Sequence, residues 1–400
     1  MTPTTSYDAV VIGTGIVGLA TALSLTRRGV RTALLGQKRP LAEADPHHFD
    51  VRVYAMSPAS VDFLTGLGVW GAIPHQRLAP VTRMEVFGDQ GSAVHLDALQ
   101  AGRRELAHIA ESTEIERALR AALQVFGVPW IDAKFTGLTH RVDSHDVELL
   151  THTNQRLAAR LVVGADGASS PLRTAAGIDV RRREYAATAL VMHLNAGRHH
   201  DGTAMQWFTP RGILALLPMP DTPDGPQVSM VWSMQRALAT ELLAMPTEDM
   251  HARLASLLQE TTQGRLGPLV PRSGLHGFPL VLQTARTVAA NSIALVGDAA
   301  HVVHPLAGQG LNLGLGDAAA LAEAVGSREA WRHPGDVRVL RRYQRGRAES
   351  VLAMQLATDA LYQLFNVPLS PVAWLRNAGM SLIDRVPVAK RFLIERASSF

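Results

Sequence analysis

Two rhythms of apolar and polar positions run along this chain. Tyr7 to Ile12 is a short, nearly unbroken apolar run, the pattern of a strand buried on both faces. A helix is expected from about Gly15 to Arg28, with Leu19 and Leu23 one turn apart and Gly29 past its end. A second apolar run, Val30 to Leu35, completes a strand–helix–strand unit. The same order returns late in the chain. Ile293 to Val296 reads as a buried strand, and an Ala/Leu-rich pattern from Leu311 to Val325 reads as a helix. Between these ends lie an amphipathic stretch, Ala59 to Leu67, a hairpin pattern within Val81 to Leu96, and a helix over Glu111 to Gln124. Val147 to Val163 reads as two strands. Ala187 to Trp232 is strand-like throughout, with turns at Asn195-Ala196-Gly197, Pro210-Arg211-Gly212 and Pro220 to Gly225. A helix over Thr247 to Glu260 and a strand over Phe278 to Arg286 follow, and Glu329 to Phe400 is mostly helical with breaks near Pro368, Pro371 and Pro387.

Composition narrows the classes. The chain has 400 residues, 47% hydrophobic and 18% charged, which suits a globular protein of one large or two medium domains. It has no cysteine, which excludes a disulfide framework and thiolate metal sites. The net charge of +4 is small and no Lys/Arg block occurs, so nucleic acid is not an expected partner. Met1 to Tyr7 lacks the basic and apolar regions of a signal peptide, and no apolar run is long enough to span a bilayer.

Three stretches carry candidate chemistry. Gly13-Thr14-Gly15-Ile16-Val17-Gly18 sits between a strand and a helix, the setting in which GxGxxG reads as a dinucleotide fingerprint. That fingerprint expects an acidic residue after the second strand, but Leu35 is followed by Gly36-Gln37-Lys38. Gln37 can hydrogen-bond a ribose there, and Lys38 or Arg39 can meet a phosphate. Asp166-Gly167 closes another strand and places a carboxylate at a strand tip, with Arg173 expected to anchor the loop. Gly297-Asp298 does the same at the third. Gly308 and Gly310 then let backbone approach a flat ligand, because neither carries a Cβ. The following helix aims free N–H groups at whatever lies before it.

The last of these stretches resembles a known family. Gly297-Asp298-Ala299-Ala300-His301, then His304 to Gly314 and Asp317, looks like the second flavin motif of group A flavoprotein monooxygenases. The run from His304 to Asp317 is similar to the ubiquinone-biosynthesis hydroxylase branch of that group. Gly164 to Arg173 resembles the family's Asp-Gly motif, Asp50 to Pro58 the segment whose arginine lies near the flavin, and Leu340 to Arg347 a later family segment. The resemblance implies FAD as cofactor, NADH or NADPH as transient electron donor, O2 as oxidant and a polyprenyl phenol as the substrate hydroxylated on its ring. The cofactor-binding residues that it implies are Gly13, Gly15, Gly18, Arg52, Asp166, Gly167, Gly297, Asp298, Pro305, Gly308, Gln309, Gly310, Leu311 and Asn312. Asp298 is expected at the ribityl and phosphate region, Pro305 to Asn312 along the isoalloxazine, and Ser112 or Glu111 close by.

The expected fold is α/β. A Rossmann-like FAD-binding domain from 1–75, 101–180 and 285–345 holds an inserted mixed β-sheet substrate domain from 76–100 and 181–284, with C-terminal helices over 346–400. Trp207, Phe208, Leu214, Leu216, Leu217, Pro218 and Trp232 supply an apolar wall, with some of Phe208, Leu216 and Pro218 expected in the substrate pocket. No catalytic residue is assigned; His193 and Arg211 are candidate bases that no spacing supports. No metal is expected, since His301 and His304 flank only a loop. Pro371 to Phe400 carries five basic and two acidic residues, which suits either a surface helix on an anionic bilayer or a segment packed on the flavin domain, the latter favoured. The expected location is cytoplasmic, peripheral to the inner membrane, with other quinone-biosynthesis proteins as partners. Two rival readings stand beside this one. The first is another flavin oxidoreductase on the same scaffold. The second, hinted at by Gly36, is a non-catalytic subunit of a quinone-biosynthesis assembly.

Overall fold

The structure is a computed structural model, and it describes residues 5–43, 45, 47–88, 91–141, 146–303, 309–366, 384, 390–391 and 394–395. Its first layer is an eight-stranded sheet. Thr5–Ile12 lies parallel between Thr32–Leu35 and Arg156–Gly164, and Ile293–Leu295 extends the parallel set beyond Arg156–Gly164. Val10, Val11, Leu34, Val162 and Val163 are fully buried, which explains why these strands read as unbroken apolar runs. One face is covered by the helices Ile16–Arg27, Ser112–Val125 and Gln309–Gly326, the other by side chains of Phe135–His140 and Val147–Thr151. The chain leaves Thr5–Ile12 in one direction and returns on its other side at Arg156–Gly164. That reversal opens a crevice at the carboxyl ends of these two strands.

The second layer is a nine-stranded sheet built from Arg83–Phe87, Ala93–Asp97 and the long strands between Val180 and Ala285, closed by His301–Val302. A three-stranded sheet, Val53–Met56, Ala107–Glu111 and Leu78–Val81, lies between the two. The large sheet has two apolar faces. Leu190, Met205, Trp207, Leu214, Leu216 and Trp232 pack beneath the helices Arg236–Ala244 and Thr247–Thr262. Ala189, Val191, Gln206, Ala215, Leu217 and Val231 face the first layer across an open space.

That division corrects the expected pocket wall. Leu216 packs in the helix-covered core, and Pro218, two residues on, shares its face. Phe208 shares the face of Gln206, but it packs with Ile213 and Val86 and is not among the residues lining the space. A strand buried on both faces offers no polar alternation to mark which side is which, and an error of one residue exchanges the faces.

Val337–Asn366 forms one helix, and Tyr343 on it donates its hydroxyl to the oxygen of Leu295 at 2.7 Å. The breaks expected near Pro368, Pro371 and Pro387 lie outside the described residues. Among those described, no helix is long and apolar enough to cross a membrane.

Candidate active site

Between the layers lies a cavity of about 1000 Å³. One end is the crevice of the parallel sheet and the other is the open face of the large sheet. Gly13, Gly15, Arg52, Asp166, Gly167, Asp298, Gln309, Gly310 and Leu311 all line it, so four stretches far apart in sequence meet there. Gly18, Gly297 and Asn312 do not face it and act from behind. A Cβ on Gly18 would lie 2.1 Å from the oxygen of Gly13, so its absence lets the helix start close against the turn. Asn312 accepts from Ser57 N at 3.0 Å and Ser60 Oγ at 2.7 Å and donates to Ala55 O at 2.9 Å, which fixes the Gln309–Gly326 helix to the Val53–Met56 strand. Pro305, Gly308 and His304 lie outside the described residues.

Two helix starts face the cavity. Ile16–Arg27 begins at Gly15 with no side-chain cap, and Gln309–Gly326 begins with Gln309, Gly310 and Leu311 in the cavity wall. The uncapped N–H groups after Gly15 and the positive end of each helix suit a phosphate or an anionic ring. A Cβ on Gly13 would fall 2.1 Å from the oxygen of Ala165, so the fingerprint turn and the Asp166 loop touch through backbone.

The carboxylates are held open to a ligand. Asp166 accepts from Leu172 N at 3.0 Å through Oδ2, while its buried Oδ1 has no partner. Burial pushes its pKa above the ordinary range, opposed by the Ser170 hydroxyl. Arg173 anchors this loop as expected, and it bridges two motifs: it donates to Ala168 O and to Ala299 O, each at 2.8 Å. Asp298 is open to the cavity, yet protein encloses its other sides; that enclosure raises its pKa and His301 opposes the shift. Asp317 lies wholly buried behind it. It accepts from Gly297 N at 2.9 Å, His301 Nε2 at 2.6 Å and Arg347 Nε at 2.8 Å. Burial alone would raise the pKa of Asp317, but His301 and Arg347 hold it below the usual carboxylate value.

The strap carrying Arg52 is fastened from three sides. Asp50 N donates to Glu111 Oε2 at 2.6 Å, Thr113 N donates to Asp50 Oδ2 at 3.2 Å, and His193 Nε2 meets Asp50 O at 2.8 Å. Neither Glu111 nor Ser112 lines the cavity; Tyr54 does, hydrogen-bonded to Ser112. Neither candidate base lines the cavity. His193 is buried behind the wall, and burial lowers its pKa. Arg211 is exposed and pairs with Glu260 at 2.7 Å, because its turn lies at the outer end of its hairpin.

At the far end of the crevice Gly36, Gln37, Arg39 and Lys134 line the wall, and the acidic residues among the described lining are Asp166 and Asp298 alone. The absent carboxylate has a steric counterpart: a Cβ on Gly36 would lie 2.7 Å from Thr14 Cγ2. Among the described residues one group, His199, His200 and Asp221, comes together with metal-ligating atoms. His200 meets Met219 O through Nε2 and Gly202 N through Nδ1, so both its ring nitrogens are engaged. Gln206, Ser233 and Ile394 also reach the cavity, and sequence reasoning singled out none of the three for it.

A doubly wound nucleotide crevice opening onto an apolar chamber is the plan of a FAD-binding flavoprotein, and the orphaned Asp166 oxygen, the glycine cradle and the two helix starts facing the cavity fit that cofactor. The sequence comparisons agree. The FAD binding domain family matches residues 6–357. The 3-demethoxyubiquinol 3-hydroxylase of Escherichia coli is 34% identical, covering 98% of both chains. The ubiquinone hydroxylase UbiL of Rhodospirillum rubrum is 33% identical over 98% of this chain and 89% of its own. In fold, the probable FAD-dependent monooxygenase PqsL of Pseudomonas aeruginosa superposes with a TM-score of 0.78 at 23% identity, over 94% of this chain and 99% of its own. The chain belongs to the ubiquinone-biosynthesis hydroxylase family of group A FAD-dependent aromatic monooxygenases.

Proposed function

We propose that this protein hydroxylates the aromatic ring of a polyprenyl phenol in ubiquinone biosynthesis, with NADH or NADPH and O2 as co-substrates. The observation that carries this reading is the continuity of the cavity, which joins a nucleotide crevice to an apolar chamber large enough for a ring and the start of a tail. Bound FAD supplies the redox chemistry, taking electrons from the nicotinamide donor and activating O2. Gly13, Gly15, Asp166, Gly167 and Asp298 hold its nucleotide and ribityl parts, and the helix start at Gln309, Gly310 and Leu311, with Arg52 opposite, receives its ring. Gly18, Gly297 and Asn312 shape that cradle from behind. Residues 1–75, 101–180 and 285–345 then act as the FAD-binding part, and 76–100 and 181–284 as the substrate part. The apolar wall excludes water, which protects oxygen chemistry from side reactions.

A prenyl tail partitions into lipid, so contact with a membrane is peripheral on this reading, and neighbouring enzymes of the pathway are the natural partners. The test is direct. Purified, flavin-loaded protein is given NADH or NADPH, O2 and a short-chain prenyl phenol, and the product is sought by mass spectrometry. A product carrying one added oxygen is expected, and Asp298→Ala is expected to lower flavin occupancy. Flavin-loaded protein that oxidises no donor and yields no such product would favour the non-catalytic subunit instead.

A further inference from the structure

The substrate end of the cavity has one chemical irregularity. The wall supplied by the large sheet is apolar apart from Gln206 and Ser233. They are 8% and 7% exposed, with that remaining surface bordering the cavity. Neither side chain has a hydrogen-bond partner among the described residues. Buried amides and hydroxyls left unpaired cost free energy, so such groups on a cavity wall point to a ligand that pairs with them.

Their placement follows from the strand register. Gln206 lies opposite Ala215 and Ser233 opposite Ile213, so the two sit two strands and two residues apart on one face. Strand spacing and rise put them about 12 Å apart along the sheet. Both side chains project from the same face, so a flat ring lying against the wall between them can present one oxygen to each. Ala189, Ala204 and Ala215 lie on the same wall, and their small side chains leave room for a flat ring.

Resting on the function proposed above, we infer that Gln206 and Ser233 orient the substrate by hydrogen bonds to two oxygen substituents of its ring. Each group both donates and accepts, so hydroxyl, methoxyl and carbonyl oxygens all satisfy it. A prenyl tail offers nothing to either and is left to the Val, Leu and Ile side chains. An all-apolar wall would hold the ring in several rotations. Two polar points fix which ring carbon faces the cofactor side, which makes this pair the determinant of the position hydroxylated.

The test compares two probes by titration against the flavin spectrum of the loaded protein: a short-chain prenyl hydroquinone and the same molecule lacking one ring hydroxyl. The parent is expected to bind the hydroquinone about tenfold more tightly, the value of one hydrogen bond. Gln206→Met, of similar shape, and Ser233→Ala are expected to bring that ratio toward one for the oxygen each serves. Flavin content and affinity for the probe lacking that oxygen should be unchanged. Ser233→Thr, which keeps the hydroxyl, should restore the ratio, a result that a merely structural role would not give. A parent ratio preserved in both Gln206→Met and Ser233→Ala would overturn the inference while leaving the functional reading intact. A parent that binds neither probe would overturn both.

Discussion

His193 on the large sheet and Asp50 on the Arg52 strap are joined by a 2.8 Å hydrogen bond from Nε2 to the backbone oxygen. The bond crosses between the substrate wall and the cofactor crevice, so the position of Arg52 depends on both. Glu111 fastens the same strap from the other side, where it pairs with Arg77 at 2.6 Å.

Glu111 therefore gives the fold a pH signature. Burial lifts its pKa to about 7, against the pull of Asp50 N–H and Arg77. A carboxyl raised in the folded state binds a proton that the unfolded chain has released. Stability from this group is thus greatest below the unfolded value of 4.5 and falls as pH rises from there to about 7. The loss amounts to at most about 3 kcal/mol by the usual conversion of pKa into free energy. His193 works in the opposite sense, since its lowered pKa costs stability as pH falls below 6.5. Urea unfolding from pH 4.5 to 7.5 should show the Glu111 slope in the parent and its absence in Glu111→Gln. Parallel curves for the two proteins would refute the raised pKa.

Gly13 and Gly15 separate folding from cofactor binding. A Cβ on Gly13 would strike the Ala165 carbonyl, whereas one on Gly15 would meet nothing within 4 Å. Gly13→Ala is expected to lose both thermal stability and flavin. Gly15→Ala should fold with an unchanged midpoint yet bind FAD about tenfold more weakly, because its Cβ projects where a pyrophosphate backbone approaches. Calorimetry with flavin titration decides it, and equal flavin affinity in Gly15→Ala and the parent would remove Gly15 from the site.

How much of this was legible in the chain varies with the kind of signal. The βαβ unit, the Asp166 loop and the Gly297 stretch were legible because each combines a continuous apolar run with glycines at fixed offsets, and those are local properties. Arg173 as an anchor was legible for the same reason. The pocket wall was not, because Leu216 and Leu217 are equally apolar and only strand pairing decides which one faces the cavity. The grip of Asp317 on Gly297, His301 and Arg347 was also hidden, since its members come from three elements brought together by packing.

Gly36 shows both sides of that boundary. The missing carboxylate was visible, and a regular strand end would make Gly36→Glu tighten FAD through a ribose hydrogen bond. The Thr14 methyl, 2.7 Å from the position of a new Cβ, reverses that expectation. Thr14 is stiff at χ1 and its hydroxyl is tied to Gln37 O, so it cannot easily move away. Gly36→Glu alone should weaken FAD binding, and pairing it with Thr14→Ser, which removes the methyl, should recover only part of the loss, because the backbone at Gly36 has φ +157°, which L side chains rarely adopt. Tightening by Gly36→Glu alone, read from flavin fluorescence titration, would show that the turn yields.

The last prediction concerns the C-terminal segment. Most of it lies outside the described residues, but its described residues reach the substrate layer and the cavity. Asp384 accepts from His95 N at 2.9 Å and pairs with Lys390 at 2.7 Å, and Ile394, 3% exposed, forms part of the cavity wall. Ile394 is bound to that wall by apolar burial, and removing it opens the chamber to water at that point. Ending the chain after Asn366 should therefore lower the thermal midpoint and raise the binding of a hydrophobic dye, with association to anionic liposomes little changed. Ile394→Asp should do the same more mildly, because it places a charge against an apolar wall. The opposite pattern, an unchanged midpoint with lost liposome binding, would identify the segment as a membrane anchor and refute its place in the cavity wall.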